Sequence, residues 1–474
     1  MDRNSEYRWP YRVAKHISDK VHGQVQQMLG ESRLRRRFEN DIRLIQPDDI
    51  LTVDHILGSG AFSQVSAVTT RDGRRYACKH LQQKLMERPQ DFQLAAAELA
   101  LEAHILSSFD HPNILKIRGW TANGIASFES GKHNSFFLML DLLDETLDER
   151  IRRWREEEIH VLKSDSNSTA MIPNLILDDN VTPDQSFYHH HLFNHSDYPR
   201  RSALQDSCDT RSQTLYAEKI RIMTEIAEAL DYIHAQGVIF RDLKPQNIGF
   251  SAETNAVQIF DFGLSRELPS LDTSTPFSMS GKVGTLRYMA PEVAMNQPYN
   301  TSSDIYSWAI VSYELLTLEK PFDGWTRDLH EDLVCKRGVR PDTSKTLHPI
   351  SDDMKLILEK AWSPFPSNRG TMSQIAVQLQ CSLSRRMAYL AEQQQEQQQC
   401  RFFEQEEQQI PLSVETVAPM ITPPSMTNGI YIDNMPLCIL PNPSCGTRIS
   451  RSMSFETIET INTSSLSVDS SYCY

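Results

Sequence analysis

An α+β fold with polar, irregular appendages is the architecture this chain predicts, and three observations carry it. Short apolar runs come first, ILTVDHIL from Ile50, QVSAVTT ending at Thr70 and RRYACKHL ending at Leu81. The last two meet across Asp72-Gly73, a hairpin signal. Helical periodicity then takes over, in DFQLAAAELALEAHILSSF with Leu94, Ala97, Leu101 and Ile105 on one face, and in TLYAEKIRIMTEIAEALDYIHAQG with Ile222, Ile226, Leu230 and Ile233 on another. Gly237 closes that second helix. Thirdly, the composition changes at both ends of the chain, to a basic stretch before Asp48 and to glutamine, then Pro, Ser and Thr, after Arg386.

The 474 residues leave room for two or three domains, or for one large domain with appendages. A hydrophobic content of 39% permits a real core, and a net charge of -14 argues against general nucleic-acid binding. The eight cysteines (78, 208, 335, 381, 400, 438, 445 and 473) contain no C-x-x-C pair, so neither a zinc cage nor a disulfide framework is indicated. MDRNSEYRWPYRVAKH lacks the apolar core of a secretory signal, and no segment approaches the ~18 uninterrupted apolar residues of a membrane span. These features describe an intracellular, soluble protein.

Residues 1–47 hold ten Lys/Arg against six acids, and the run RLRRRF at 33–38 suits docking to an acidic partner, nuclear import or a solvated helix face leading into the domain. GSGAFSQV then places Gly58 and Gly60 between two strands, with Ser63 at a third small position and Val65 after it. Glycines there let backbone N–H groups close over a phosphate, although a plain hairpin turn has the same signature. Lys79 follows in YACK, with Glu98 and Glu102 on the next helix as its candidate partners. FFLMLDLL (136–143) is a buried strand, and ETLDERIRRWREEE an amphipathic helix. From about Ile159 to Ser212 the pattern breaks into a polar segment with His189, His190, His191, His195 and Cys208. That is far longer than the usual ~12 to 15 residues of a loop.

The densest chemistry lies between Val238 and Gly263, VIFRDLKPQNIGF and VQIFDFG, where Asp242, Lys244, Asn247 and Asp261 gather two carboxylates, an ammonium and an amide between apolar runs. Such a set suits a phosphate with magnesium better than a bare proton transfer. R-D-L-K-P-Q-N followed by D-F-G resembles the catalytic and metal loops of the eukaryotic protein kinases. GTLRYMAPE (284–292), SSDIYSWAIVSYELLTLEKPF (302–322) and PFPSNRGTM (364–372) continue the resemblance in order. It covers about Asp49 to Ser384. The serine/threonine type is implied by L-K-P-Q-N and Thr285, and HPNIL with SDIYSWAIVSYELLT is closest in style to the tyrosine-kinase-like group.

The resemblance implies a bilobal protein kinase fold, a small β-rich N-lobe (about 48–141) and a larger α-helical C-lobe (about 144–384). An insertion would occupy about 159–212, with a basic extension at 1–47 and a Gln-rich, then disordered, tail at 385–474. It implies ATP and Mg2+ as cofactors, with Gly58, Ser59, Gly60, Ala61, Phe62, Val65, Ala77, Leu140, Asp141 and Leu143 around the nucleotide. Lys79 would grip the phosphates, oriented by Glu102, the glutamate at the usual offset before HPNIL. Asn247 and Asp261 would hold magnesium, Asp242 would take the acceptor hydroxyl's proton, and Lys244 would stabilise the group in transfer. Partners would be protein substrates with Ser or Thr and an upstream kinase acting on an activation-loop residue, Ser278 or Ser280, that pairs with Arg241. A cytoplasmic or nuclear setting fits. Glu292 and Arg369 would form a buried structural pair.

Departures from the family pattern leave a rival, a pseudokinase scaffold that binds partners without catalysis. Phe240 replaces the His of H-R-D and should pack with Leu106 and Phe262. Gly249 stands where a bulky apolar residue floors the adenine site, a loss worth ~1 to 3 kcal/mol. The histidine cluster and the Gln-rich run leave room for a third reading, a metal-binding or coiled-coil adaptor.

Overall fold

The computed structural model describes residues 8–34, 42–165, 205–272, 275–344 and 350–408. The histidines at 189–195, Arg35–Arg37, Thr273, Ser274 and the tail beyond Gln408 lie outside the described residues, and with them the metal, import and tail readings.

Helix α1 (Tyr11–Gly30) leads into β1 (Arg43–Ile45), β2 (Ile50–Ser59), β3 (Ser63–Thr70) and β4 (Arg75–Leu81). Helix α2 (Pro89–Ser107), β5 (Ile117–Thr121) and β6 (Phe137–Leu140) complete a six-stranded sheet in the order β1-β5-β6-β4-β3-β2. The Asp72-Gly73 hairpin joins β3 to β4 antiparallel, Val65 opposite Lys79 and Ala67 opposite Ala77. Alternation along β4 turns Ala77 and Lys79 to one face and Cys78 to the other, all three buried, and the lysine's face is the one that meets Glu102 of α2.

The helical part follows: β7 (Leu143–Thr146), α3 (Leu147–Asp165), α4 (Gln205–Ala235), β8 (Val238–Ile239), β9 (Ile248–Ser251), β10 (Val257–Ile259), β11 (Arg266–Glu267), α5 (Pro291–Ala294), α6 (Ser302–Thr317), α7 (Arg327–His330), α8 (Asp352–Ala361) and α9 (Met372–Gln408). A small sheet, β10-β9-β7, and the pair β11-β8 carry the catalytic stretch. Helix α6 is buried at every residue, and α4 stands beside it with Ile222, Ile226, Leu230 and Ile233 fully enclosed. This is the bilobal kinase architecture: a β-sheet with α2 above, helices below, and the site between them.

Two expectations need correction, and one buried face was not foreseen. Of the apolar face expected for α2, Ala97 and Ile105 are buried and Leu101 packs against the core, but Leu94 is 59% exposed, and Phe92, Ala95, Ala96, Leu99 and Ala103 are enclosed as well. Helix α2 is covered by the sheet on one side and by α1 on another, which a single-stripe reading cannot anticipate. Secondly, helix runs into both ends of the 159–212 insertion, α3 to Asp165 and α4 from Gln205. The polar residues of those two stretches give the sequence no periodic apolar signal from which helix could be read. The buried face not foreseen is that of α1, whose Ala14, Ile17, Val21 and Val25 join the main core.

Candidate active site

Lys79 is buried, and its Nζ donates to Glu102 Oε1 and Oε2 at 2.8 and 2.7 Å and to Asp261 Oδ1 at 2.7 Å. Of the two candidate glutamates, α2 turns Glu102 toward the lysine; Glu98 lies instead 3.6 Å from Arg266. Burial weighs against the Lys79 charge, but the Asp261 and Glu102 carboxylates hold its pKa above the ordinary lysine value. The Lys79 charge holds the Asp261 carboxyl below its usual range. Burial pushes the Glu102 carboxyl up against the pull of Lys79. A lysine from the sheet and an aspartate from the helical part thus share a charge-assisted bond across the cleft.

Asp242 is fixed from both sides. Its Oδ1 accepts from the Thr285 backbone N–H at 3.0 Å and the Thr285 hydroxyl at 3.1 Å. Its Oδ2 accepts from Lys244 Nζ at 2.6 Å and from the Asn247 amide at 3.0 Å. The loop beneath is anchored to α6: Asp304 accepts from the backbone N–H groups of Phe240 and Arg241, both at 2.8 Å, and its Oδ2 lies 2.9 Å from His234 Nε2. Arg241 and Asp261 both sit at positive φ, 72° and 66°, conformations that non-glycine residues hold only where the surroundings impose them. Phe240 is fully buried and meets Phe262 edge-on at 5.0 Å, so an aromatic serves in that place.

Among the described residues no cluster of three or more His, Cys, Asp or Glu side chains is placed to hold a metal ion. The donors at hand are the Asp261 carboxylate, whose side chain is 44% exposed, and the carbonyl oxygen of Asn247, whose amide nitrogen is already given to Asp242. Two hard oxygens fit a magnesium ion that takes its other ligands from phosphate and water.

Gly58 and Ser59 end β2, and Gly60, Ala61 and Phe62 make the exposed turn into β3, which carries Val65. Leu140 is buried and faces Ala77 across β6 and β4. The next residue, Asp141, is clamped by Arg118 through two bonds of 2.7 Å. Gly249 does not leave a hole. A Cβ there would come 2.5 Å from Leu143 Cδ1 and 3.3 Å from Phe260 Cε1, so these two side chains supply the apolar matter that a larger residue would have given.

One positioning residue escaped the sequence reading. Gln82, just past β4, donates its side-chain amide to Ser59 Oγ at 2.8 Å, Gly60 O at 2.6 Å and Ser63 O at 3.1 Å. A glutamine among Q-Q-K carries no signal of such a role.

Comparison with known proteins agrees with this geometry. Residues 157–379 match the protein kinase domain. The serine/threonine-protein kinase nekl-2 of Caenorhabditis elegans is 32% identical over 171 residues, 35% of this chain and 45% of that protein. Serine/threonine/tyrosine-protein kinase HT1 of Arabidopsis thaliana is 34% identical over 161 residues, 34% of this chain and 39% of that protein. Serine/threonine-protein kinase PknB of Mycobacterium leprae is 33% identical over 192 residues, 40% of this chain and 29% of that protein. The chain therefore carries a protein kinase domain with distant serine/threonine kinase homologues, and it spans less than half the length of each of these relatives. The matched span begins in α3 and leaves out the lysine-bearing lobe, whose likeness lies in its fold. No described helix is long and apolar enough to cross a membrane.

Proposed function

We propose that this chain is an ATP-dependent protein kinase that transfers the γ-phosphoryl group of Mg-ATP to serine or threonine hydroxyls of proteins. The observation that carries this reading is the charge string Glu102, Lys79, Asp261 beside an Asp242 held by Thr285, Lys244 and Asn247. Phosphoryl transfer needs positioning and charge neutralisation more than covalent chemistry. Lys79 would hold the phosphates, Asp261 and Asn247 the magnesium, and the exposed glycine turn would cover them. Asp242, with one oxygen bound by Thr285, would orient an acceptor hydroxyl and receive its proton, while Lys244 offsets the charge on the transferred group. Magnesium, when bound, would neutralise the phosphate oxygens.

Control would pass through Arg241. Its Nη1 lies 3.1 Å from Ser280 Oγ and 3.0 Å from Tyr299 OH, which supports Ser280, ahead of Ser278, as the residue an upstream kinase would modify. The reading extends to a kinase domain over 48–384 with flanking segments, a cytoplasmic or nuclear setting, and the tyrosine-kinase-like group, on the motif style given above.

Transfer of labelled phosphate from ATP to a generic protein acceptor tests it, with Asp242→Asn as the control. Wild-type transfer that the variant loses supports the enzyme; no transfer by wild type, with or without a modified Ser280, favours the scaffold.

A further inference from the structure

Residues 8–34 touch both parts that Lys79 joins. The Trp9 backbone N–H donates to Gly131 O at 3.0 Å. Gly131 sits at φ 78°, and a Cβ on it would come 2.4 Å from Trp9 O, so the close approach needs glycine. The Trp9 ring then meets Phe92 of α2 edge-on at 4.7 Å. Helix α1 lays Ala14, Ile17, Val21 and Val25 into the core beside α2, and Ser18 Oγ donates to Ile125 O at 3.2 Å.

After Gly30 the chain turns back toward the cleft. The Ser32 hydroxyl donates to Glu267 Oε2 at 2.7 Å and lies 3.0 Å from Nε2 of His104, on α2 just past Glu102. The Arg33 backbone N–H and Nε donate to Glu267 Oε1 at 2.7 and 3.2 Å. The Arg33 guanidinium also reaches the carbonyls of Leu268 and Pro269. Leu34 is buried beside them. Glu267 belongs to β11, which follows Asp261-Phe262-Gly263 directly. Its side chain is only 18% exposed, so these charge-assisted bonds are partly shielded from water.

We infer that Ser32 and Arg33 form a latch that positions Glu102 for Lys79 and Asp261, by tying α2 to β11 through Glu267. Helix α2 meets the cleft through the Lys79 pair; α1 backs it from the other side, and the latch fixes where its far end sits relative to the metal-loop segment. These are positioning residues, since none of them touches the reacting groups. Glu98, 3.6 Å from Arg266, adds a second tie between the same two elements. The inference rests on the kinase reading for its catalytic consequence but not for its structural one.

The full-length chain carrying Ser32→Ala with Arg33→Ala, and separately Glu267→Gln, is compared with wild type by amide hydrogen exchange and by steady-state transfer to a generic acceptor. In both variants the amides of α2 are expected to exchange about tenfold faster, with those of α8 unchanged, as befits loss of a local tie. The turnover number is expected to fall about tenfold, more than KM for ATP changes, and to fall by less in Arg33→Lys alone, which keeps Ser32 and the charge but loses the fork that reaches Glu267, Leu268 and Pro269. Unchanged α2 exchange overturns the latch, as does faster exchange with undiminished turnover. A wild type that transfers no phosphate would count against the kinase reading alone, and the α2 exchange would then decide the latch by itself.

Discussion

Strand β2 and helix α6 stand at opposite extremes of the same molecule: Leu51, Val53 and Ile56 of the first are 60 to 67% exposed, while all of the second is buried. The groups they serve are held accordingly. In the helical part, Asp242 rests on a loop whose backbone is bonded to Asp304 in the core. In the sheet part, the glycine turn is held by the backbone bonds from Gly60 N–H to Ser63 O and from Gln82 N–H to Phe62 O, both 2.9 Å, and by the Gln82 side-chain amide, while the Lys79 ammonium is held by its two carboxylate partners. The loop that carries Asp242 is built on a core, and the glycine turn, which on the proposed function would open and close over a nucleotide, is held by a few polar bonds.

Substitutions sharpen that contrast. The largest effect is expected at Arg369, fully buried and paired with Glu292 at 2.6 and 2.9 Å. Arg369→Ala leaves a buried carboxylate without its partner and should cost about 3 to 5 kcal/mol in urea unfolding, with Mg-ATP affinity per folded molecule unchanged. Asp304→Ala comes next. It strands two buried backbone donors and His234, at a cost of about 3 kcal/mol, and here turnover per folded molecule should fall as well.

His330 sets a smaller, pH-dependent effect. It is buried, neither ring nitrogen has a hydrogen-bond partner among the described residues, and burial followed by the nearby Arg287, Arg340 and Arg327 charges pushes its pKa down to about 4. The folded state therefore binds a proton less readily than the unfolded one, whose histidine titrates near 6.5. Its contribution is fully present above that value and is lost as pH falls toward 4, by about 3 kcal/mol at most. His330→Leu should flatten this acid limb; an unaltered slope would show that His330 does not set it. Gln82→Ala should change stability little and raise KM for ATP up to about tenfold, the worth of one or two hydrogen bonds.

Much of this was legible in the residues. Alternation in β3 and β4 and the spacing of Ile222, Ile226, Leu230 and Ile233 follow directly from backbone periodicity. The approach of Lys79 to Glu102 and Asp261 was legible through motif order, since those groups are far apart in sequence. Helix α1 carries a stripe, Ala14, Ile17, Val21 and Val25, but basic and polar residues fill the positions between, so the apolar signal is weak beside the net charge of the stretch. The second buried face of α2 depends on α1 packing there, a tertiary fact with no local trace. Leu143 filling the place beside Gly249 is of the same kind: a missing side chain reads as a loss until the neighbour that occupies its volume is known.

On the proposed function, Lys79 and Asp261, from opposite sides of the cleft, would meet around one magnesium-bound nucleotide. Titration calorimetry of the purified chain with ATP tests it most directly, run with and without magnesium and with Asp261→Asn and Lys79→Met beside wild type. Magnesium-dependent uptake of one nucleotide, weakened in both variants, is the result expected. No uptake by wild type, or uptake indifferent to magnesium and to both substitutions, would contradict the account.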